Sequence, residues 1–519
     1  MVVMKKFKWG FMLCLFLGGC LFGCQSAPEE DFVAEKNQEV LESKIGVSNT
    51  KESSETSLDS DSYEWETAQY KDSFAGADDN VWIEVDAEAT YCVGYSPVIR
   101  VKPHTFDSSE VKIWADKLLN ADHYYEPKVE LTRAEIEEEI LNIKRVLGDE
   151  EALAEEYNGN QEDMEAAKEI LNDFLHQYEI MYETAPEAYE RRETDWEFRP
   201  FSYYDELDAL LAADDSESAD LDEQLVIESE GEEEFGRIIV YNYRDGDYYD
   251  NKASFTLYND YDEYGNAAWN ANKETPMELD EAEVIQMVQE ALEGLGLDHM
   301  VLESYSVYGK AGNSSGGMRE KVTGSDQEAY YYSLLFLPSY EGLGMIRQNS
   351  IYEYPEDSYG ALYDYEKLYV SVKSDKITAI TWNAPTEVVS VENLKVGTIS
   401  FDEVKTLFKN QMQIEYTIGK LSRQNPSNDD YNQVVNQIVK GEIHVDQIDY
   451  GYVRIQIQNN DQEFRLVPAW SLKGEEALDY GEGYTWPSEY PELNPESLRE
   501  VYQTINAVDG SFINVRLGY

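Results

Sequence analysis

The 519-residue chain carries 105 Asp and Glu against 41 Lys and Arg, a formal charge of −64. That excess excludes a nucleic-acid partner, whose phosphates need a cationic footprint, and it excludes direct adsorption to anionic lipid. Disorder throughout is excluded as well, because 42% hydrophobic residues and 40 tyrosines supply enough apolar surface for real cores. At roughly 100–200 residues per domain, the length predicts about two or three domains.

The chain opens with Lys5, Lys6 and Lys8, runs apolar from Trp9 to Leu17, and reaches Leu21-Phe22-Gly23-Cys24-Gln25. Cations, a short apolar run and a small residue are the parts of a secretory signal. The run is shorter than the roughly 20 apolar residues of a spanning helix. A cysteine directly after the small residue resembles a bacterial lipobox. The resemblance implies that residues 1–23 are removed and that Cys24 Sγ receives a diacylglyceryl group. The expected location is then the cell membrane, lipid-anchored, on the extracytoplasmic face. Leu17-Gly18-Gly19-Cys20 is an alternative box. Cys24 is preferred because Gln25-Ser26-Ala27-Pro28-Glu29 reads at once as a polar mature start. Two acyl chains anchor stably, at about 0.8 kcal/mol per buried methylene. Processing would remove three lysines and no acid, leaving the exported body more acidic still. Such a charge serves solubility in the first instance.

Residues 24–75 are rich in Glu, Ser, Asp and Thr without a sustained hydrophobic period, as in Lys51-Glu-Ser-Ser-Glu-Thr-Ser. They are expected to form an acidic, disordered tether spanning typically about 40 Å. An N-terminal α+β domain is expected over 76–275. Val81, Ile83, Val85 and Ala87 alternate with polar residues and Trp82, the pattern of a half-buried strand. Val111, Trp114, Leu118 and Leu119 share one side of a helix. Thr132-Arg-Ala-Glu135 is a capping box, and Ile136, Ile140, Ile143 and Leu147 follow at helical spacing. A further helix is expected from Glu162 to Tyr178. The acidic stretch 214–234 reads as a loop or junction. Ile238–Tyr243 and Ala253–Tyr258 flank Asp245-Gly246, a hairpin signal.

The second half holds a quasi-repeat. Asp280-Glu-Ala-Glu283 caps a helix carrying Val284, Val288 and Leu292, and strands follow to Trp382. Ser400-Phe-Asp-Glu403 caps another, with Val404, Leu407, Phe408 and Met412, and strands follow around 451–457, 464–470 and 505–515. Two related helix-plus-sheet modules are therefore expected, over 276–395 and 396–519, with a helix on one face of each antiparallel sheet. The fold class is α+β.

Val467-Pro468-Ala469-Trp470, with Ile505-Asn-Ala-Val-Asp509-Gly510-Ser511, resembles the close of PepSY-like and YycH/YycI-type regulatory domains, over roughly 276–519. Those are extracytoplasmic helix-plus-sheet modules of Gram-positive bacteria. The resemblance implies that Trp470 fills the core beneath the helix and that Asp509-Gly510 makes an exposed hairpin turn. The whole chain, from Cys24 through the acidic stretch, also resembles an uncharacterised family of Firmicutes lipoproteins, which implies an anchor and no particular activity.

Chemistry is sparse. His104, His123, His176, His299 and His444 show no metal-ligand spacing among themselves, and no HExxH, CxxC or Gly-x-Ser-x-Gly element occurs. No cofactor or metal is expected. Asp260-Tyr-Asp262-Glu-Tyr-Gly265 starts like a calcium loop but has Ala271 where the bidentate Glu belongs. Acid pairs are too common to support a glycosidase dyad. Tyr330-Tyr-Tyr332 and Tyr352-Glu-Tyr354 suit sugar stacking, but half-buried strand tyrosines are the commoner outcome of such clusters. Cys92, outside the signal region, reads as a buried small hydrophobe. The expected role is a non-catalytic binding or regulatory lipoprotein, with an envelope protein or a glycan as partner. The alternatives are a solute- or glycan-binding lipoprotein and, behind it, a hydrolase with an unrecognised site.

Overall fold

Strand patterning accounts for most of the architecture. The computed structural model describes residues 38–46, 63–119, 121–128, 130–150, 153, 160–200, 223–230, 235–242, 254–261, 276–309, 329–348, 363–373, 375–421, 438–479, 481 and 500–515. The fold is α+β and dominated by two sheets. From Asn37 onward the chain forms one compact unit.

The first sheet is built from β1 (Trp65–Ala75), β2 (Val81–Cys92), β3 (Tyr95–Pro103), β14 (Thr386–Gly397), β15 (Lys440–Ile457), β16 (Asn460–Asp479) and β17 (Glu500–Asn506). Its order is β1-β2-β15-β16-β3-β14, and β17 pairs beside β3 along the second half of β16. β2 alternates buried and exposed residues from Val81 onward, as its sequence predicts. β2 and β15 run parallel, from Val81 opposite Gly441 to Val85 opposite Val445, so the sheet is not purely antiparallel. The ladder between β15 and β16 slips by one residue after Val445. Across that slip Gly474 lies so close to β15 that a Cβ would sit 1.9 Å from the His444 carbonyl oxygen. Only glycine fits there.

The second sheet is built from β4 (His123–Tyr125), β5 (Arg199–Pro200), β6 (Glu223–Glu230), β7 (Phe235–Asn242), β8 (Ser254–Tyr261), β9 (Met300–Tyr308), β10 (Tyr331–Tyr340), β11 (Leu343–Gly344), β12 (Lys367–Lys373) and β13 (Lys376–Asn383). Its main path is β11-β10-β12-β13-β8-β7-β6-β4, with β9 also on β10 and β5 also on β6.

Helices cover the sheets. On the second sheet lie α2 (Ser108–Leu118) and α5 (Glu281–Gly294). They bury Val111, Trp114 and Ala115, and Val284, Val288 and Leu292, over Ile227, Ile238, Phe255 and Val370. On one side of the first sheet lies α6 (Phe401–Glu415), followed by the short α7 (Ile418–Leu421). Helix α6 buries Phe401, Val404, Phe408 and Met412 against β2, β15 and β16. Both capping boxes close as expected, with Asp280 accepting from the Glu283 amide and Ser400 from that of Glu403. Helices α3 (Arg133–Gly148) and α4 (Gln161–Thr184) pack as a hairpin, α3 opening on the Thr132 capping box.

Several expectations change. The 24–75 stretch contains structure: α1 (Gln38–Ile45) packs on the first sheet, and β1 occupies Trp65–Ala75. Both were hidden by polar partners, since Tyr70 and Phe74 are the only aromatics of β1 that turn inward. Within the acidic stretch 214–234, Glu223–Glu230 is strand β6 with Leu225 and Ile227 in the core. Residues 24–37 and 47–62, the 214–222 acids and the Asp245-Gly246 turn lie outside the described residues. The boundaries near 275 and 395 do not separate the sheets. Strands β2 and β3 pair with β15 and β16, and β8 pairs with β13. Each sheet thus takes strands from both halves of the chain.

Candidate functional site: the seam between the sheets

Chain segments that pass from one sheet to the other meet in one place. One crossing runs from β3 through His104 and Phe106 into α2, and another joins β13 to β14 through Ala384 and Pro385. Segment 363–366, which leads into β12, lies against them. Ala384 is fully buried and takes φ +48°, a conformation unusual for a non-glycine. A fourth contact comes from β11, where Gly451 leaves room for the Gly344 carbonyl and the Ile346 amide donates to Tyr452 O at 2.8 Å. An apolar cluster of Ile99, Leu343, Tyr363, Ala384, Tyr452 and Phe464 fills the space between.

The crossings are tied by polar groups. The His104 amide donates to Pro385 O at 2.9 Å, and Tyr363 Oη to the same carbonyl at 2.8 Å. Asn242 clamps Phe106 through its amide and carbonyl at 3.0 and 2.9 Å. Arg454 on β15 is 3% exposed. It donates to the carbonyls of Asp364, at 2.6 Å, and Tyr363, and lies over the Phe464 ring at 4.2 Å. Glu366 is buried and accepts from Trp382 Nε1 at 2.9 Å, the Thr386 amide at 3.1 Å and Thr386 Oγ1 at 2.5 Å. Thr386 opens β14 and Trp382 lies in β13, so one carboxyl links both sheets. Burial pushes the Glu366 carboxyl up to about 7 against the hydrogen bonds that lower it.

His104 sits beside this group, stacked near Trp382 at 5.9 Å. Its Nε2 lies 3.0 Å from Glu110 Oε2 and its Nδ1 3.3 Å from Glu387 Oε2. Burial opposes its charge, and the two carboxylates outweigh burial, so its pKa is raised. With both ring nitrogens facing carboxylates, the imidazolium is favoured and neither nitrogen is left to accept a proton from a nucleophile. The buried polar groups of the seam tie the two sheets together.

The remaining histidines stand apart. His299 stacks on Tyr340 and its pKa is lowered by burial. His123 and His444 are exposed near Glu193 and Glu84. Among the described residues no group of three or more His, Cys, Asp or Glu is placed to hold a metal ion. A hollow lined by Glu126, Pro127, Glu130, Tyr189 and Arg192 has room for nothing beyond about one water. No described helix is long and apolar enough to cross a membrane.

Of the residues singled out from sequence, Cys24 and its alternative Cys20 lie outside the described residues. Trp470 is 1% exposed, stacked on Phe401 at 5.0 Å and close to Tyr91 and Tyr450. It does fill the core beneath α6, away from the seam. Asp509-Gly510 does form a turn, with Gly510 at φ +82° and Asp509 Oδ1 accepting from the Ser511 amide at 2.9 Å. The turn is not exposed at its glycine. Gly510 is buried under α6, and a Cβ there would meet Leu407 Cδ1 at 3.1 Å. Cys92 is buried, donates to Tyr95 O at 3.0 Å, and burial raises its thiol pKa. Sequence reasoning missed the seam itself. Pro103 and Pro385, ending or following strands, were its available signal.

No family model and no curated protein matches the chain. Among solved structures, the chain is similar to an uncharacterised protein from Eubacterium rectale ATCC 33656. The identity is 10%, the likeness covers 84% of this chain and 91% of that one, and the TM-score is 0.38.

Proposed function

We propose that the protein is a lipid-anchored component of the extracytoplasmic face of the cell membrane with a non-catalytic binding or regulatory role. One observation carries this reading: three lysines, a short apolar run and Leu21-Phe22-Gly23-Cys24-Gln25 open an otherwise strongly acidic chain. The anchor is the diacylglyceryl group on Cys24 Sγ. Support for the non-catalytic role comes from His104, whose two nitrogens both face carboxylates, and from a seam whose buried polar groups tie strands together. The partner class is an envelope protein or a glycan. The finer architecture is part of the same reading: 276–395 and 396–519 are related modules, the second PepSY-like. In its favour, α5 and α6 both open on capping boxes, lie on a sheet face and precede antiparallel strands.

Metabolic labelling with a fatty acid tests the anchor. Wild-type protein is expected to carry label and to fractionate with membranes, and Cys24→Ser to lose both. Label that persists in Cys24→Ser and disappears only when Cys20 is also changed moves the box to Cys20. Absence of label from wild-type protein overturns the reading.

A further inference from the structure

The first sheet ends on two strands with different edges. At one end β14 breaks register with β3 three times between Val388 and Val396. Helix α1 lies against it, with Asn393 Nδ2 donating to Ile45 O at 2.7 Å. At the other end β1 pairs with β2 without a break, from Trp65 opposite Cys92 to Ala75 opposite Trp82. The strand has eleven residues and no proline or glycine. Among the described residues no strand pairs with its other side. The remaining edge strands are interrupted or short. Strands β9 and β17 each slip once against their neighbours, and β4, β5 and β11 have three, two and two residues. Bulges, brevity and proline are common guards of an open edge, which otherwise presents a row of unpaired amides and carbonyls. Strand β1 has none of the three. Its one lysine, Lys71, turns back to β2, with Nζ 3.0 Å from Asp86 Oδ2.

The two faces beside this edge differ in charge. On the inner face Tyr70 and Phe74 are buried, with Lys405 and Lys409 of α6 over their rings at 6.0 and 5.0 Å. Lys409 also holds Asp72 at 2.9 Å. On the outer face the alternation of β2 sets Glu84, Asp86 and Glu88 in a row, opposite Ser73, Lys71 and Gln69. Asp86 is engaged by Lys71 and by Gln69 Nε2 at 2.8 Å. Glu84 has only His444 near it, at 3.5 Å. Glu84 and Glu88 therefore stand behind the neutral side chains Ser73 and Gln69. Strands in a sheet are about 4.8 Å apart, so a lysine or arginine on a strand added beside β1 reaches across these residues to the two carboxylates.

We propose that the open edge of β1 takes up an extended segment of a partner protein that carries basic residues at alternate positions on the outer face. The proposal rests on the binding role proposed above, narrows its partner to a protein, and does not depend on the anchor. Main-chain hydrogen bonds to the edge supply affinity, and the alternate side chains supply choice. A second copy of this chain is a poorer occupant. It brings Lys71 as the one cation of its own β1, on a body of formal charge −64, so like charges meet.

The test follows hydrogen exchange at amides 65–75 in the full-length protein, held in neutral detergent micelles. In an antiparallel edge strand alternate amides face the neighbour and the rest face out. The free protein is therefore expected to show slow and fast exchange at alternate positions. The probe is a synthetic peptide of alternating lysine and valine, as long as β1. It is expected to slow the fast set by about tenfold or more. The same peptide methylated on every backbone nitrogen keeps its charge and loses its donors, and is expected to leave that set fast. A glutamate–valine peptide is expected to do the same. Glu84→Lys/Glu88→Lys, at two exposed positions, is expected to reverse the preference between the lysine and glutamate peptides. Uniformly slow exchange across 65–75 in the free protein overturns the open edge. Fast amides that neither peptide slows overturn docking at β1 and leave the broader binding role standing. Equal slowing by the lysine and glutamate peptides overturns the basic partner, and slowing by the methylated peptide overturns main-chain pairing. Slowing that rises with protein concentration alone, with dimers on sedimentation, puts a second copy on the edge and overturns the partner segment.

Discussion

Glu366 concentrates the energetic question at a single carboxyl. It is buried, its hydrogen bonds come from both sheets, and burial raises it to about 7. A carboxyl raised in the folded state binds its proton more tightly there than in the unfolded chain. Its contribution to stability is therefore complete below about pH 4.5 and lost as pH rises through about 7. Full ionisation costs on the order of 3 kcal/mol. His104 has the same sign, since its raised pKa gives stability present below the ordinary histidine value and lost as pH rises through the folded one. Glu387, lowered chiefly by Lys102, loses its contribution only on acidification. His299, lowered by burial, works in the opposite sense to His104. A variant is needed to isolate the carboxyl. Urea midpoints of wild type are expected to fall between pH 5 and pH 8 more steeply than those of Glu366→Gln. Equal slopes would mean that Glu366 is not the group that titrates. None of this was legible in the sequence, where Glu366 is one of 105 acids and Thr386, Trp382 and Arg454 lie 16 to 88 residues away. A buried carboxyl is recognised by its surroundings, and those are set by topology.

At the scale of elements, amphipathic helices were readable and polar strands were not. The helices capped by Thr132, Asp280 and Ser400 announce themselves by a cap followed by a 3.6-residue apolar period, and the one from Ser108 by the period alone, a local signal that tertiary contacts reinforce. Strand β1 buries few residues among many acids and hydroxyls, so its alternation is diluted, and β6 buries Gln224, Leu225, Val226 and Ile227 in a row, so it shows no alternation. The same holds for α1, where the two buried side chains among the described residues, Leu41 and Ile45, are too few to make a period. Trp470 was expected in the core from the resemblance carried by Val467-Pro468-Ala469-Trp470 and not from a local period. It joins α6 to the first sheet through Phe401, Tyr91 and Tyr450. Trp470→Ala is expected to cost about 3–5 kcal/mol, the range for emptying a large aromatic site. Chemical denaturation checks this, and a loss under about 1 kcal/mol would mean that α6 and the sheet close up around the gap.

For the molecule as a whole, the order of strands in space departs most from the order in sequence. A chain that opens each half with capped helices invites division into consecutive modules. The helices do lie on sheet faces as that division requires, but the sheets are shared. The first sheet needs β1, β2 and β3 from the N-terminal part, and the second needs β4 to β8. Pairings between distant segments carry no local signature, because period 2 fixes which face is buried and not which strand lies alongside. The seam follows from this interleaving, since a chain that serves two sheets must cross between them. The most direct measurement is therefore the thermal unfolding of residues 276–519 expressed alone, beside the full-length protein. Stripped of β1 to β8, the fragment loses partners along β13, β15 and β16, and it is expected to show no cooperative transition and no near-ultraviolet signal from Trp382 and Trp470. A cooperative melt with native-like near-ultraviolet dichroism would contradict the interleaved body and restore independent modules.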